Sequence, residues 1–236
     1  MAGIECKNIY KTYSVEDRTL HVLKGIDLHI PEKSITVILG RSGCGKTTLL
    51  RLIGDLEQPD SGEIQFDVTH KTAFVFQESR LMPWLNVWDN VVFGLKKQSK
   101  DKTIIQNIID TVGLNGFEKA YPHQLSGGMQ QRVAIARALA YDPSFIMMDE
   151  PFAALDYFTR NQMQKELIRL QQSRGASILF VTHNIDEALL LGHKIVIIEN
   201  GIIKREFQIT ESITERDLLS PSFIDLKKQI LAELDL

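Results

Sequence analysis

Only two cysteines, Cys6 and Cys44, occur in the 236 residues, too few for a multi-bridge disulfide framework or a cysteine zinc site. No apolar run approaches the ~20 residues that a membrane-spanning helix needs. The most apolar stretches, Ser177–Val181, Ala188–Leu191 and Ile195–Ile198, are interrupted by charges, histidine and glycine. The opening MAGIECKNIYKTY has no apolar core of signal-peptide length. Neither sign of charge prevails: 27 Lys and Arg against 30 Asp and Glu leave a formal net charge of −3. That balance supplies no global attraction to nucleic acid or to an anionic bilayer. Internal repeats and low-complexity linkers are also missing. What is present is an average globular composition, 44% hydrophobic and 24% charged, which excludes intrinsically disordered and collagen-like chains. This length permits one large domain or two small ones, and burial of roughly 70–75% of the unfolded chain's surface. These features together predict a soluble, cytosolic, single globular unit.

Short continuous apolar runs recur at Ile35–Leu39, Ala73–Phe76, Phe145–Met148, Ile178–Val181 and Ile195–Ile198. Runs of this length ended by glycine or charge suit strands buried on both faces of a parallel sheet. Helical patterns at Thr47–Ile53, Tyr157–Gln172 and Asp186–Leu191 separate several of them, which predicts an α/β sheet with helices on both faces. The first ~35 residues and the stretch Ser61–Lys71 read as hairpins, with Asp60-Ser61-Gly62 as a turn. Residues 77–140 lack a convincing strand and read as a helical insert. In the tail, Phe223, Leu226, Ile230 and Leu234 fall at helical spacing, as an amphipathic helix packing on the core would have them.

Gly40-Arg41-Ser42-Gly43-Cys44-Gly45-Lys46-Thr47 fits G-x-x-x-x-G-K-[ST], between a predicted strand and a predicted helix. Its glycines let the backbone curl so that successive N–H groups face phosphate oxygens, and the helix adds the positive end of its dipole. Lys46 would reach the β- and γ-phosphates, and the Thr47 hydroxyl would bind Mg²⁺. Thr48 follows within the same helix start. Cys44 lies beside Lys46 and a helix N-terminus, which is expected to favour its thiolate and make it sensitive to alkylation.

Phe145-Ile-Met-Met-Asp149-Glu150 is a buried-strand run closing in two carboxylates. Neighbours on a strand point to opposite sides, so the two cannot share one job. Downstream of a phosphate loop, one can hold the Mg²⁺ shell near Thr47 and the other is then free to polarise an attacking water. Leu125-Ser126-Gly127-Gly128-Met129-Gln130-Gln131-Arg132 precedes an Ala-rich helical stretch, with Ser126 as N-cap and two glycines permitting close approach of an anion. Alone it would read as an ordinary capped helix.

In this order LSGGMQQR resembles the signature motif of ATP-binding cassette (ABC) proteins, lying between a Walker A (Gly40–Thr47) and a Walker B (Phe145–Asp149). Gln77, in Val75-Phe76-Gln77-Glu78, resembles the Q-loop glutamine that contacts Mg²⁺ and the attacking water. Ala154-Leu155-Asp156 is similar to the D-loop, and His183 to the switch histidine near the γ-phosphate. Tyr13 stands where the family places an aromatic on adenine, with Tyr10 as the other candidate. The resemblance covers nearly the whole chain. It implies a phosphate-loop NTPase core (1–76 and 141–220) with an antiparallel β subdomain, an inserted α-helical signature subdomain (77–140) and a C-terminal helix (221–236).

It also implies a head-to-tail dimer, each ATP lying between one Walker A and the partner's signature. Ser126, Gly127, Gly128 and Gln130 would serve the partner's nucleotide, Asp156 the dimer contact, and Glu150 and His183 the hydrolytic step. The segment Gln77–Asn90 contains both tryptophans, Trp84 and Trp88, beside Leu81, Met82 and Leu85. Such a cluster suits a docking groove, and in ABC importers this region receives a coupling helix from the membrane permease. PWLNVWDNV, YPHQLSGGMQQRVAIARAL and HNIDEALLL resemble cassettes of nitrate/sulfonate/taurine-type importers. Asn184, Ala153 and Gly54-Asp55 depart from the usual pattern without touching a phosphate ligand. The resemblance therefore implies an ATPase that powers uptake of a small anion or vitamin precursor from the cytoplasmic face of the membrane. Its partners would be a permease and, indirectly, a solute-binding protein, with no nucleic acid. The alternative is a non-transport ABC ATPase of the DNA-repair or translation type, but such proteins usually carry inserts or a second cassette that 236 residues leave no room for.

Overall fold

The computed structural model describes residues 3–16, 18–66, 71–96 and 101–234. Two sheets organise it. The N-terminal sheet is antiparallel, ordered β2-β1-β4, from β1 (Gly3–Val15), β2 (Arg18–Pro31) and β4 (Ser61–Phe66). The central sheet is ordered β5-β6-β7-β3-β8-β9. It comprises β3 (Ile35–Leu39), β5 (Thr72–Val75), β6 (Phe145–Asp149), β7 (Ser177–Thr182), β8 (Lys194–Glu199) and β9 (Ile202–Gln208). All its pairings are parallel except β8 with β9.

The continuous apolar runs are explained by two cores, one on each face of the central sheet. Side chains alternate across a strand. Ile146, Met148, Ile178, Phe180, Ile195 and Ile197 therefore enter one cluster together with the helices α3 (Lys102–Thr111), α4 (Gly127–Ala140), α5 (Tyr157–Arg174) and α6 (Ile185–Leu191). Phe145, Met147, Leu179, Val181, Val196 and Ile198 enter the other, against β1, β2 and α1 (Lys46–Ile53). With both faces filled, no polar alternation is left in the sequence to see.

The insert contains α2 (Val87–Val91), α3 and α4, and the chain closes with α7 (Pro221–Glu233). Phe223, Ile230 and Leu234 are buried along one side of α7, as their spacing predicts. Three differences from the sequence reading stand out. Ser61 begins β4 and is not a turn residue; Gly62, at φ +91°, sits so close to β1 that a Cβ would lie 2.3 Å from the Asn8 carbonyl. The Ser61–Lys71 stretch does not pair with itself: β4 joins β1, whereas the chain from Thr72 belongs to the central sheet. Residues 67–70 of that stretch, 97–100 of the insert and 235–236 of the tail lie outside the described residues. Finally β9, mostly exposed and without alternation, had no sequence signal strong enough to announce it. No described helix is long and apolar enough to cross a membrane.

Candidate active site

Strands β6, β7 and β3 are neighbours in one parallel register, Asp149 level with Val181 and Thr182 level with Leu39. Their C-terminal ends therefore deliver three loops to one edge of the sheet, where ligands of open α/β folds bind. After β3 the chain turns at Gly40, where a Cβ would stand 2.4 Å from the Ile198 carbonyl oxygen and 2.8 Å from Cys44 Sγ, so only glycine fits. Gly43 and Gly45 adopt φ of +80° and +106°, and Gly45 caps α1. Arg41, Ser42 and Gly43 are exposed, and Thr48 is half-buried. Lys46 is 5% exposed, its Nζ donating to the carbonyls of Gly40 and Arg41 at 2.8 Å each. The ammonium group is thus held inside the curl of the loop, at the positive end of α1.

Thr47 Oγ1 donates to Asp149 Oδ1 at 3.1 Å, joining the helix start to the end of β6. Burial, and then the neighbouring Glu150, push the Asp149 carboxyl up, partly offset by the Thr47 hydroxyl. Glu150 leaves the strand at φ +44°, a left-handed backbone that costs a non-glycine residue of order 1 kcal/mol. That turn brings Glu150 Oε2 to 2.9 Å from His183 Nδ1, while its own N–H donates to the Val181 carbonyl at 3.0 Å.

Gln77, two residues beyond the end of β5, is exposed, and the loop around it is tied to α4. Gln131 Nε2 donates to the Phe76 carbonyl at 2.9 Å, and the Arg137 guanidinium donates to the carbonyls of Ser79 and Arg80 at 3.1 and 3.0 Å. Ser126 caps α4, accepting from Met129 N–H at 3.2 Å. Gly127 has open space around it, whereas a Cβ on Gly128 would lie 3.1 Å from the Ala154 carbonyl oxygen. The Gln130 amide is engaged within its own chain: Nε2 donates to the Pro122 and Leu125 carbonyls, and Oε1 accepts from Ser79 Oγ. Among the described residues no hydrogen bond joins Ser126, Gly127 or Gly128 to the phosphate loop of the same chain. Asp156 caps α5, accepting from the N–H groups of Phe158 and Thr159 at 3.1 Å each.

Tyr13 donates its hydroxyl to Glu57, and Lys11 Nζ lies 5.5 Å from its ring centre. Burial, then the Glu57 contact, raise the phenol's pKa. The Tyr10 hydroxyl instead lies against Gly25. In the Trp-bearing segment the two rings part company. Trp84 is 69% exposed, whereas Trp88, like Leu81, is partly buried against the helical core. Met82 and Leu85 are half-buried at the ends of a tight turn, Leu85 N–H donating to the Met82 carbonyl at 3.1 Å. The thiolate expected at Cys44 is not favoured: burial raises the thiol's pKa by more than Lys46 lowers it.

Several positioning groups lie inside the quoted motif stretches without a role read for them from sequence. Asn90, Gln131, Glu187 and Arg137 are polar residues within largely apolar helical stretches, and the structure shows what they hold. Asn90, 0% exposed, accepts from Met82 N–H and donates to the carbonyls of Met82, Leu85 and Asn86, fixing the turn that presents Trp84.

The ABC transporter family model matches residues 23–153. That span holds the phosphate loop, the Gln77 loop, the Ser126–Gly128 cap and the Asp149–Glu150 strand end in one stretch. The chain belongs to the ABC transporter family. It is 39% identical to the aliphatic sulfonates import ATP-binding protein SsuB of Bacillus cereus, over 98% of this chain and 96% of that one. Against an uncharacterised ABC transporter ATP-binding protein of Methanocaldococcus jannaschii the identity is 42%, covering 97% and 90%. Among solved structures, a dimeric ATP-binding cassette in a post-hydrolysis state with ADP and Pi superposes with a TM-score of 0.81 at 33% identity, covering 89% of this chain and all of that one. As an ABC cassette this chain binds and hydrolyses ATP, on the phosphate-loop α/β fold described above.

Proposed function

We propose that this cassette powers uptake of a small organic anion of the sulfonate type through a membrane permease, working as a head-to-tail dimer on the cytoplasmic face. The observation that supports the reading best is the meeting of Glu150 and His183 at 2.9 Å beside the Thr47–Asp149 hydrogen bond, at the mouth of the phosphate loop. In the hydrolytic step Glu150 takes a proton from water as the water oxygen attacks the γ-phosphorus. The bond from that phosphorus to the β–γ bridging oxygen breaks, giving ADP and phosphate. His183 holds the Glu150 carboxylate and donates to the charge that develops on the γ-phosphoryl oxygens. Lys46 and the loop residues Gly40–Thr48 bind the phosphates, and Tyr13, whose hydroxyl reaches the α1 side of the site, stacks on adenine.

The donor set fits Mg²⁺: Thr47 Oγ1 and Asp149 Oδ1 lie 3.1 Å apart, a hydroxyl and a carboxylate of the hard-oxygen kind this ion takes alongside phosphate and water. Gln77 would add a third oxygen. When bound, the ion screens charge between the β- and γ-phosphates. Ser126, Gly127 and Gly128 serve the partner's nucleotide, and Gln130 holds the preceding turn in shape for them. Asp156 lies at the dimer contact. The insert 77–140 presents Trp84, with Leu81, Met82, Leu85 and Trp88 beneath and around it, to the permease; a solute-binding protein delivers the cargo.

Glu150→Gln tests the hydrolytic assignment. The variant should bind ATP and dimerise while turnover falls by ~10²-fold or more, the usual contribution of a general base. Near-normal turnover would remove Glu150 from that role. Copurification of the chain from membranes with a hydrophobic permease tests the import reading; recovery with nucleic acid and no permease would overturn it.

A further inference from the structure

The histidine turn and the Asp156 loop are joined by a second route that no motif describes. Thr182, the last residue of β7, donates its hydroxyl to Glu187 Oε2 at 2.6 Å and accepts from Asn184 N–H at 3.0 Å, so it fixes both sides of His183. Glu187, in the first turn of α6, is 6% exposed. Its other carboxylate oxygen faces Arg160 Nε at 3.7 Å, and Arg160 Nη2 donates to the Leu155 carbonyl at 3.0 Å. Leu155 and Ala154 are the residues against which Gly128 packs. The loop between β6 and α5 is therefore held to the histidine turn at both ends. Glu150 is hydrogen-bonded to Val181 and His183 at the start, and at the finish Arg160 Nε, which has no hydrogen-bond partner among the described residues, is ion-paired with Glu187. A buried carboxylate is costly without partners, and burial does raise the Glu187 carboxyl's pKa. A purely structural role would be served as well by an apolar pair of the same volume.

We propose that Arg160 and Glu187 are positioning residues for hydrolysis: the pair locks the His183 turn to the Asp156 loop so that His183 and Glu150 stay aligned while that loop bears on the signature glycines. The proposal rests on the assignment of Glu150 and His183 given above.

The test is steady-state ATP hydrolysis by the purified full-length chain. Glu187→Gln and Arg160→Gln should each lower kcat about tenfold with KM for ATP within about twofold of wild type. The double variant should be no slower than either single one, as expected for two groups acting as one unit. Unchanged kcat in folded variants, additive losses, or a change confined to KM would each overturn the proposal. Should the Glu187 variants fail to fold, Thr182→Val and Thr182→Ser decide it. The valine variant should be slowed and the serine variant, which keeps the hydroxyl, substantially restored; equal rates for the two would refute the link. Glu150→Gln run alongside separates the two ideas. If it retains turnover the underlying assignment fails, whereas if it is inactive and Glu187→Gln is unimpaired only the positioning proposal fails.

Discussion

Replacing Asn90 with alanine asks how firmly the Trp84 turn is held. The wild-type amide makes one accepted and three donated hydrogen bonds in a site with 0% exposure. Not all of these partners would be orphaned. The Met82 carbonyl still receives Leu85 N–H, and the Asn86 carbonyl still receives the N–H of residue 90 itself. Met82 N–H and the Leu85 carbonyl lose the partner described here. At about 1–3 kcal/mol for each of these two buried groups left unpaired, the cost is about 2–6 kcal/mol. A chain of this size loses about 2–4 °C per kcal/mol, so the melting temperature should fall by roughly 4–24 °C if unfolding bears the whole cost. If the turn instead opens to water, the melt shifts less and amide exchange across residues 82–86 accelerates. With Trp84 in the docking role proposed above, association with the permease should weaken in both cases while ATP binding by the cassette is kept. Asn90→Asp should be worse than alanine at neutral pH, because an ionised carboxylate would face three carbonyl oxygens. Its folded pKa would lie above the unfolded value, so the penalty vanishes at acidic pH and grows as pH rises through that interval. A wild-type melt together with wild-type exchange in residues 82–86 of Asn90→Ala would refute the reasoning.

Other expectations concern titratable groups. Burial places the Asp149 carboxyl's folded pKa above its unfolded one, so its ionisation weakens the nucleotide-free fold. Asp149→Asn should therefore melt higher than wild type at neutral pH, with an advantage that shrinks as pH falls through the carboxyl range and no stabilisation by Mg²⁺-ATP. Identical pH profiles for the two proteins would count against it. Cys44, its thiol pKa raised by burial, should react with N-ethylmaleimide more slowly than a free thiol, and bound ATP should slow it further; mass spectrometry showing labelling at the free-thiol rate would contradict this. Cys6, 1% exposed and pushed up to about 12, should label only on unfolding.

The five apolar runs were legible because each central strand has a core on both sides, and the phosphate loop because its glycines answer steric demands that a Cβ cannot meet. Asp149 and Glu150 could be picked out from their place at a strand end, and His183 only through the resemblance to the family's switch histidine. Less legible were the contacts that depend on tertiary neighbours. Tyr13 reads as an aromatic in a strand, and nothing local reveals Glu57 against its hydroxyl. Trp84 and Trp88 look alike in sequence, but only the second faces the core of the insert. The Cys44 thiol was misjudged because proximity to Lys46 can be read from spacing, whereas desolvation cannot.

The alternation of the central strands between two filled cores also makes the reaction countable in whole residues. Deleting one residue ahead of Met148 in β6 would turn Met148 toward the face now occupied by Phe145 and Met147, and would turn Asp149 to the opposite side of the sheet. Deleting two would restore the faces but draw both carboxylates back by about 6.6 Å, one strand repeat, away from Thr47 and His183. On β9 the same change would turn Phe207, its one buried side chain, and would displace no residue of the site. Length polymorphism in descendants of this chain should therefore be absent from β3, β6 and β7, and tolerated at the antiparallel edge of the same sheet.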